Sequence, residues 1–296
     1  MFKRKLWFVC NWDEIYDPNI SMRTVRNWPM PEMFEISENE YEFLIVLGGL
    51  NNRNKKYYRN PMKTIGFLLE PNWSGNWQRD LDKYCRYVVA QEKDMFPGNN
   101  IIEHPLFMYT QSTDHHNFYI EEKHLKKKRM SIVISNHGPK PLYEERVGLF
   151  RALLKTDMDI DFYGRNWNVK DPRYKGAPYN KSDALLDYEY SIAIENCRQK
   201  NYVTEKFFDL TVCNTVPLYH GAPNIAEVYP KDSFIQLDFS GPIEKTVEQV
   251  KEIYYNDDYN SRLPHVLESK ELYYTKYNIF NFLEKMINEG KLWKYV

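Results

Sequence analysis

The sequence predicts an α/β protein whose sheets are parallel, and three observations carry that prediction. The chain has 296 residues, more than one hydrophobic core usually supports, so two domains are expected. Its first half holds short apolar runs that lack helical spacing, the mark of parallel strands buried on both faces. Its second half alternates strand-like and helix-like segments, as expected of a sheet covered by crossover helices.

In chain order, the strands expected in the first half are "LWFVCNW", "EFLIVLGGLNN", "TIGFLLEPNW" and "YCRYVVAQE", each ending at a loop. Residues 110–130 lack such periodicity and are expected to form a linker. "MSIVISNHGPKP" follows as a strand with a turn-rich end. In "LYEERVGLFRALLK", Val147, Phe150 and Leu154 repeat at helical spacing, with Leu149 and Leu153 widening the stripe. "DIDFYGRNW" and "YEYSIAIEN" read as strands, "TEKFFDLTVC" as a helix, and "TVPLYH" and "DSFIQLDF" as strands. Val247, Val250 and Tyr254 mark one further helix, and Ile279, Leu283 and Met286 another.

Composition narrows the function classes. Lys and Arg number 40 against 41 Asp and Glu, so the global pull of a dedicated nucleic-acid binder is missing and any anion site must be local. The basic run "KHLKKKR" (123–129) reads as a solvated segment. Aromatic residues make up 16%, a content that suits packed cores and surfaces that stack on sugar or base rings. Cys10, Cys85, Cys197 and Cys213 are widely spaced; they are expected to be reduced and buried, without a zinc or redox motif. Asp114, His115 and His116 lack the second ligand pair of a structural zinc site. The apolar stretch near the N-terminus is too short for a signal peptide or a membrane span. A soluble, cytoplasmic protein is expected.

The chemistry concentrates in the second half. In open α/β sheets ligands sit beyond the carboxyl ends of the strands, where the loops offer Asn136, Arg146, Arg165, Glu195, Asn196, Tyr202, Glu205, Lys206 and "HGAPN". "NYVTEKFFDL" places Lys206 in the first turn of a helix, where a cation opposes the helix dipole. Two readings stay open on spacing alone. Either Lys206 is a solvated side chain behind a Thr204 cap, or Lys206 and Arg146 meet and hold an anion such as a diphosphate, with Glu205 accepting from sugar hydroxyls.

The longer pattern separates them. "YSIAIENCRQKNYVTEKFFDLTVCNTVPLYHGAPNIAEVYPKDSFIQLDF" resembles the donor-binding signature of the family-10 α1,3/α1,4-fucosyltransferases. "IVISNHGP", "ERVGLFRAL" and "DFYGR" extend the resemblance upstream. It covers residues 130 to 240. It implies two Rossmann-like domains facing across a cleft, the GT-B fold, with an N-terminal acceptor-side domain over 1–122 and a C-terminal nucleotide-sugar domain over 123–296, the last helix packing back on the former. It implies GDP-fucose as donor, a glycan acceptor and no obligatory metal or other cofactor. Arg146 and Lys206 would neutralise the diphosphate, Glu205 would hold donor hydroxyls, and Asn196, Tyr202 and Arg165 would line the donor pocket. The family's general base is expected in an acidic stretch before a proline, which "TIGFLLEPNWSGNW" matches with Glu70. Trp73 and Trp77 are candidates to stack on an acceptor sugar.

Overall fold

The computed structural model describes residues 3–11, 30–71, 80–105, 125–138 and 141–292. The chain divides into two compact units, 1–109 with 200–202 and 274–296, and 110–199 with 203–273. The boundary expected between residues 122 and 123 lies outside the described residues.

The first unit is built on β1 (Arg4–Cys10), β2 (Phe34–Ile36), β3 (Phe43–Leu47), β4 (Thr64–Phe67), α1 (Leu81–Tyr84), β5 (Tyr87–Ala90) and β6 (Ile101–Glu103). The six strands form one sheet in the order β2-β1-β3-β4-β5-β6, every pairing parallel. Strands β1, β3, β4 and β5 are the apolar runs expected from the sequence. β3, "FLIVL", is buried at every position, as a strand covered on both faces must be. β2 and β6 have three residues each, too few to show a period.

The second unit contains β7 (Lys128–Val133), α2 (Tyr143–Leu154), β8 (Ile160–Tyr163), β9 (Tyr174–Gly176), β10 (Tyr188–Ile194), α3 (Glu205–Val212), β11 (Val216–His220), α4 (Ile225–Val228), β12 (Ile235–Gln236), α5 (Ile243–Asn256) and most of α6 (Tyr259–Thr275). Its sheet has the order β12-β11-β10-β7-β8-β9, again all parallel. The chain lays β7 to β9 outward in one direction and then returns to place β10 on the other side of β7. That reversal makes the crevice at the carboxyl ends of β7 and β10 the natural ligand site. Leu149, Phe150 and Leu153 of α2 pack on Ile132, Ile160 and Phe162 of the sheet. Trp167 stacks on Phe150 at 3.9 Å between ring centroids.

Helix α7 (Ile279–Asn288) belongs to the first unit. Phe280 lies 5.6 Å from Phe8 and Phe282 lies 5.9 Å from Phe67, ring to ring. Asn278 caps α7 by accepting from the N–H groups of Phe280 and Asn281.

Three expectations change. "DSFIQLDF" contributes only Ile235 and Gln236 to the sheet, because Asp238 turns the chain by accepting from the Ser240 N–H at 2.8 Å. The linker expected to run to residue 130 gives way to strand at Lys128. In the described part of the basic run Leu125, Lys127 and Lys128 are exposed as expected, but Lys126 and Arg129 are not solvated. Lys126 reaches inward to the carbonyls of Leu186 (2.8 Å) and Cys213 (2.6 Å) and the Thr215 hydroxyl (3.1 Å). Burial pushes its ammonium down to about 8. Lys128 pairs with Asp161 and Arg129 with Glu189. Arg129 also donates to the carbonyls of Ile253, Tyr254 and Asp257 at the end of α5, where a cation complements the helix dipole. The four cysteines are buried thiols. No helix among the described residues is long and apolar enough to cross a membrane.

Candidate functional site in the second unit

The site forms where β10 ends and α3 begins. Glu195, the first residue after β10, is fully buried, and its carboxylate accepts from both the backbone N–H (2.7 Å) and the hydroxyl (2.6 Å) of Thr204. Thr204 is the N-cap of α3, its hydroxyl oxygen accepting from the Lys206 N–H. The loop 196–203 is thereby closed by one side chain at its base. The Lys206 ammonium then folds back over the cap, 3.0 Å from Thr204 Oγ1, 3.2 Å from Glu205 Oε1 and 3.4 Å from Glu195 Oε2. A lysine in the first turn is tolerated because it sits on carboxylates and not on bare N–H groups.

The protonation states follow from burial and charge. Burial pushes the Glu205 carboxyl up, but Lys206 and then Lys181 outweigh it and hold the group at about 2. Burial likewise opposes the Lys206 ammonium; Glu205 and Glu195 more than compensate, with Arg146 pushing the other way, and its pKa ends above the ordinary lysine value. Glu195 is raised, by burial first, with Lys206 opposing and Glu205 adding to the rise. Of the two carboxylates, Glu205 is therefore the firmly ionised one.

Arg146, in the first turns of α2, donates from Nη1 to Asn196 Oδ1 at 2.5 Å. The structure thus brings Arg146, Asn196, Glu205 and Lys206 together, gives the loop residues Glu195 and Gly221 definite roles, and adds Lys181, which the sequence did not mark. Glu195 is the counter-ion and cap anchor. Lys181 donates to the Glu205 carbonyl at 3.3 Å and pairs with Asp209 at 2.6 Å, a link across 24 residues that no local pattern signals. Gly221 in "HGAPN" lies so close that a Cβ there would stand 2.4 Å from both Glu195 Cγ and Tyr219 Oη. Glu205 Oε2 is buried and accepts no hydrogen bond among the described residues, a costly state that a ligand hydroxyl would relieve.

Arg165 is exposed after β8, its backbone N–H donating to Ser135 Oγ at 3.1 Å. Gly164 before it has φ +148, and a Cβ there would meet the Ile134 carbonyl at 1.8 Å. The turn therefore requires glycine. Among the described residues no hydrogen bond or ion pair joins the Arg165 side chain to Arg146 or Lys206. Tyr202 is buried and groups with the first unit. Glu70 is half-buried just beyond β4, also in the first unit. Trp73, Trp77, Asp114, His115 and His116 lie outside the described residues. Among the described residues no group of three or more His, Cys, Asp or Glu is placed to hold a metal ion.

Two buried carboxylates and two cations thus gather at a helix N-terminus beyond parallel strands, an arrangement chemically able to accept an anion that also carries hydroxyls. Comparison with known proteins points the same way. The family model described as glycosyltransferase family 10 (fucosyltransferase), C-terminal part, matches residues 123–263. A fucosyltransferase-like protein of Arabidopsis thaliana is 36% identical over 119 residues, 40% of this chain and 22% of that protein. The 4-galactosyl-N-acetylglucosaminide 3-alpha-L-fucosyltransferase 9 of Mus musculus is 28% identical over 183 residues, 57% of this chain and 47% of that protein. The chain thus matches less than half the length of either relative. A crystal structure of an alpha1,3-fucosyltransferase with GDP-fucose superposes over 99% of this chain and 91% of its own, with TM-score 0.60 and 17% identity; that likeness establishes a shared GT-B fold. Residues 123–263 thus match the C-terminal part of glycosyltransferase family 10, the fucosyltransferases.

Proposed function

We propose that the chain is an inverting glycosyltransferase that moves L-fucose from GDP-fucose to a hydroxyl of a GlcNAc-containing glycan without an obligatory metal. The observation that carries the reading is Glu205 Oε2, a buried acceptor with no partner among the described residues. It belongs to the group that also contains Lys206 and Arg146. A diphosphate suits the two cations, and a sugar hydroxyl suits the carboxylate. The fold is shared with an alpha1,3-fucosyltransferase crystallised with GDP-fucose, and the mouse relative is named for a 4-galactosyl-N-acetylglucosaminide acceptor.

In this reaction the bond from the anomeric carbon to the diphosphate breaks while the acceptor oxygen attacks the opposite face. The departing GDP gains negative charge. Lys206 and Arg146, the latter oriented by Asn196, meet that charge as fixed cations and supply electrostatic stabilisation that elsewhere comes from a divalent ion. Tyr202 and Arg165 are assigned to donor binding, Glu70 to taking the acceptor proton, and Trp73 and Trp77 to acceptor binding.

Titration calorimetry with GDP and UDP tests the donor assignment. GDP is expected to bind and UDP to bind far more weakly, with Arg146→Ala lowering GDP affinity by about tenfold to a hundredfold, the worth of a charged hydrogen bond. Equal affinity for both nucleotides, or no heat from either, rejects the proposal.

A further inference from the structure

A cavity opens in the second unit at the carboxyl ends of β11 and β12. Its volume is about 460 Å³, within the range of about 300–1,000 Å³ typical of small-molecule sites. Glu145, Arg198, His220 and Phe239 line it, with Gln236, Leu237, Asp238 and Ser240. None of these is among the residues assigned above to the diphosphate or the base.

The lining is built and not incidental. The loop carrying Phe239 is held at several points. Leu237 N–H donates to the Tyr219 carbonyl (2.8 Å), Asp238 N–H to Gln249 Oε1 (2.9 Å) and Thr246 Oγ1 to the Asp238 carbonyl (2.7 Å). Asp238 Oδ1 accepts from the Ser240 N–H and Oδ2 from Lys245, so this carboxylate is occupied with folding the loop. The Phe239 ring leans on His220, 4.5 Å between centroids at 52°. His220 is 5% exposed, and its Nδ1 lies 3.3 Å from the Leu237 carbonyl. Burial first, and then Arg198, lower its pKa and keep the ring neutral at pH 7. With Nδ1–H donating to that carbonyl, Nε2 is an acceptor.

The cavity thus combines one half-exposed aromatic ring, two acceptors (Glu145 and His220) and one multidentate donor (Arg198). Among the described residues neither Glu145 nor Arg198 has a hydrogen-bond or ion-pair partner. A nucleoside diphosphate would meet the Glu145 carboxylate with only one cation in compensation, and an apolar ligand would strand both charges. A pyranose fits: its C–H face lies on an aromatic ring, and its hydroxyls both donate and accept. Glu145 also precedes Arg146 in α2, so the cavity begins next to the residue assigned to the diphosphate.

We propose that this cavity is a pyranose subsite, with Phe239 as the platform and Glu145, Arg198 and His220 as hydroxyl partners, so that sugar recognition is shared by the C-terminal unit. The inference rests on the glycosyl-transfer reading. The sugar is either the fucose of the donor or a ring of the acceptor.

The test compares wild type with Phe239→Ala, Glu145→Gln and Arg198→Ala; the last two alter exposed or half-exposed charges and leave the core intact. Calorimetry measures GDP and GDP-fucose, and saturation-transfer NMR measures 4-galactosyl-N-acetylglucosamine in the absence of nucleotide. The expected result is a loss of about tenfold in sugar affinity in Phe239→Ala, the worth of one ring contact, with a similar direction in the charge variants and GDP affinity unchanged. Loss confined to GDP-fucose identifies the donor ring, and loss confined to the disaccharide identifies an acceptor ring. A parallel fall in GDP affinity would make the cavity a nucleoside pocket and overturn the inference. So would unchanged affinity for both sugars in all three variants. Wild-type protein that binds no GDP rejects the transfer reading itself, a result distinct from either.

Discussion

Replacing Lys206 by Met removes the ammonium that bridges Glu195 and Glu205 while keeping most of the side-chain volume, and the consequence can be worked out. Glu205 is held at about 2 against an ordinary 4.5, worth about 3 kcal/mol at about 1.4 kcal/mol per pH unit. Because this pKa is depressed, that stability is present above pH 4.5 and is lost as pH falls toward 2. In Lys206→Met only Lys181 and a backbone hydrogen bond still oppose burial, so the Glu205 carboxyl moves upward, and Glu195, already raised, rises further. A raised carboxyl contributes stability below its unfolded pKa and loses it as pH climbs through the folded value. The variant is therefore expected to be about 3–5 kcal/mol less stable than wild type near neutral pH, the usual cost of breaking a buried pair. The gap should narrow by about 1 kcal/mol or more near pH 5. Urea unfolding followed by circular dichroism at the two pH values reads both numbers, with Lys206→Arg as the charge-retaining control. A gap below about 1 kcal/mol near neutrality, or one that fails to narrow on acidification, would refute the account of Lys206 as the counter-ion of two buried carboxylates.

Three further outcomes are expected. Glu70→Gln should leave GDP affinity unchanged and lower turnover by about 10²–10⁴-fold; assay of GDP release with acceptor checks it, and wild-type turnover removes Glu70 from the mechanism. Gly221→Ala forces a methyl against Glu195 and Tyr219 and should cost about 1–3 kcal/mol in thermal or denaturant unfolding. Lys126→Met takes the donor from the carbonyls of Leu186 and Cys213 and should destabilise the protein by about 1–3 kcal/mol in the same unfolding measurement, where a solvated lysine would cost almost nothing.

Much of the fold was legible because strands buried on both faces must be apolar throughout, as "LWFVC" and "FLIVL" are. The elements that escaped did so for physical reasons. β2, β6 and β9 have three residues each, and α6 carries Pro264 inside a helix with no apolar stripe, a combination that reads as loop. At the site, the pattern around residues 190–239 marked Glu205 and Lys206 through a family resemblance. Yet the reason a cation is stable there, the Glu195 carboxylate nine positions before Thr204, is visible only once β10 and α3 are placed side by side. Lys126 failed in the opposite sense: four basic residues in a row suggest solvent, while the chain entering β7 turns one of them inward. Whether a lysine is a ligand-binding group or a structural pin is decided by what surrounds it in space.

On the proposed reaction, the carboxylates beneath Lys206 bear on how long a product stays. A cation that already leans on its own chain offers an arriving polyanion only the difference between two attractions, so the grip on a spent nucleotide is moderated from the start. On the proposed reaction, Glu195 then sets residence time as well as architecture: it trades tightness for release, and the balance between the two is written in a side chain that never touches the substrate.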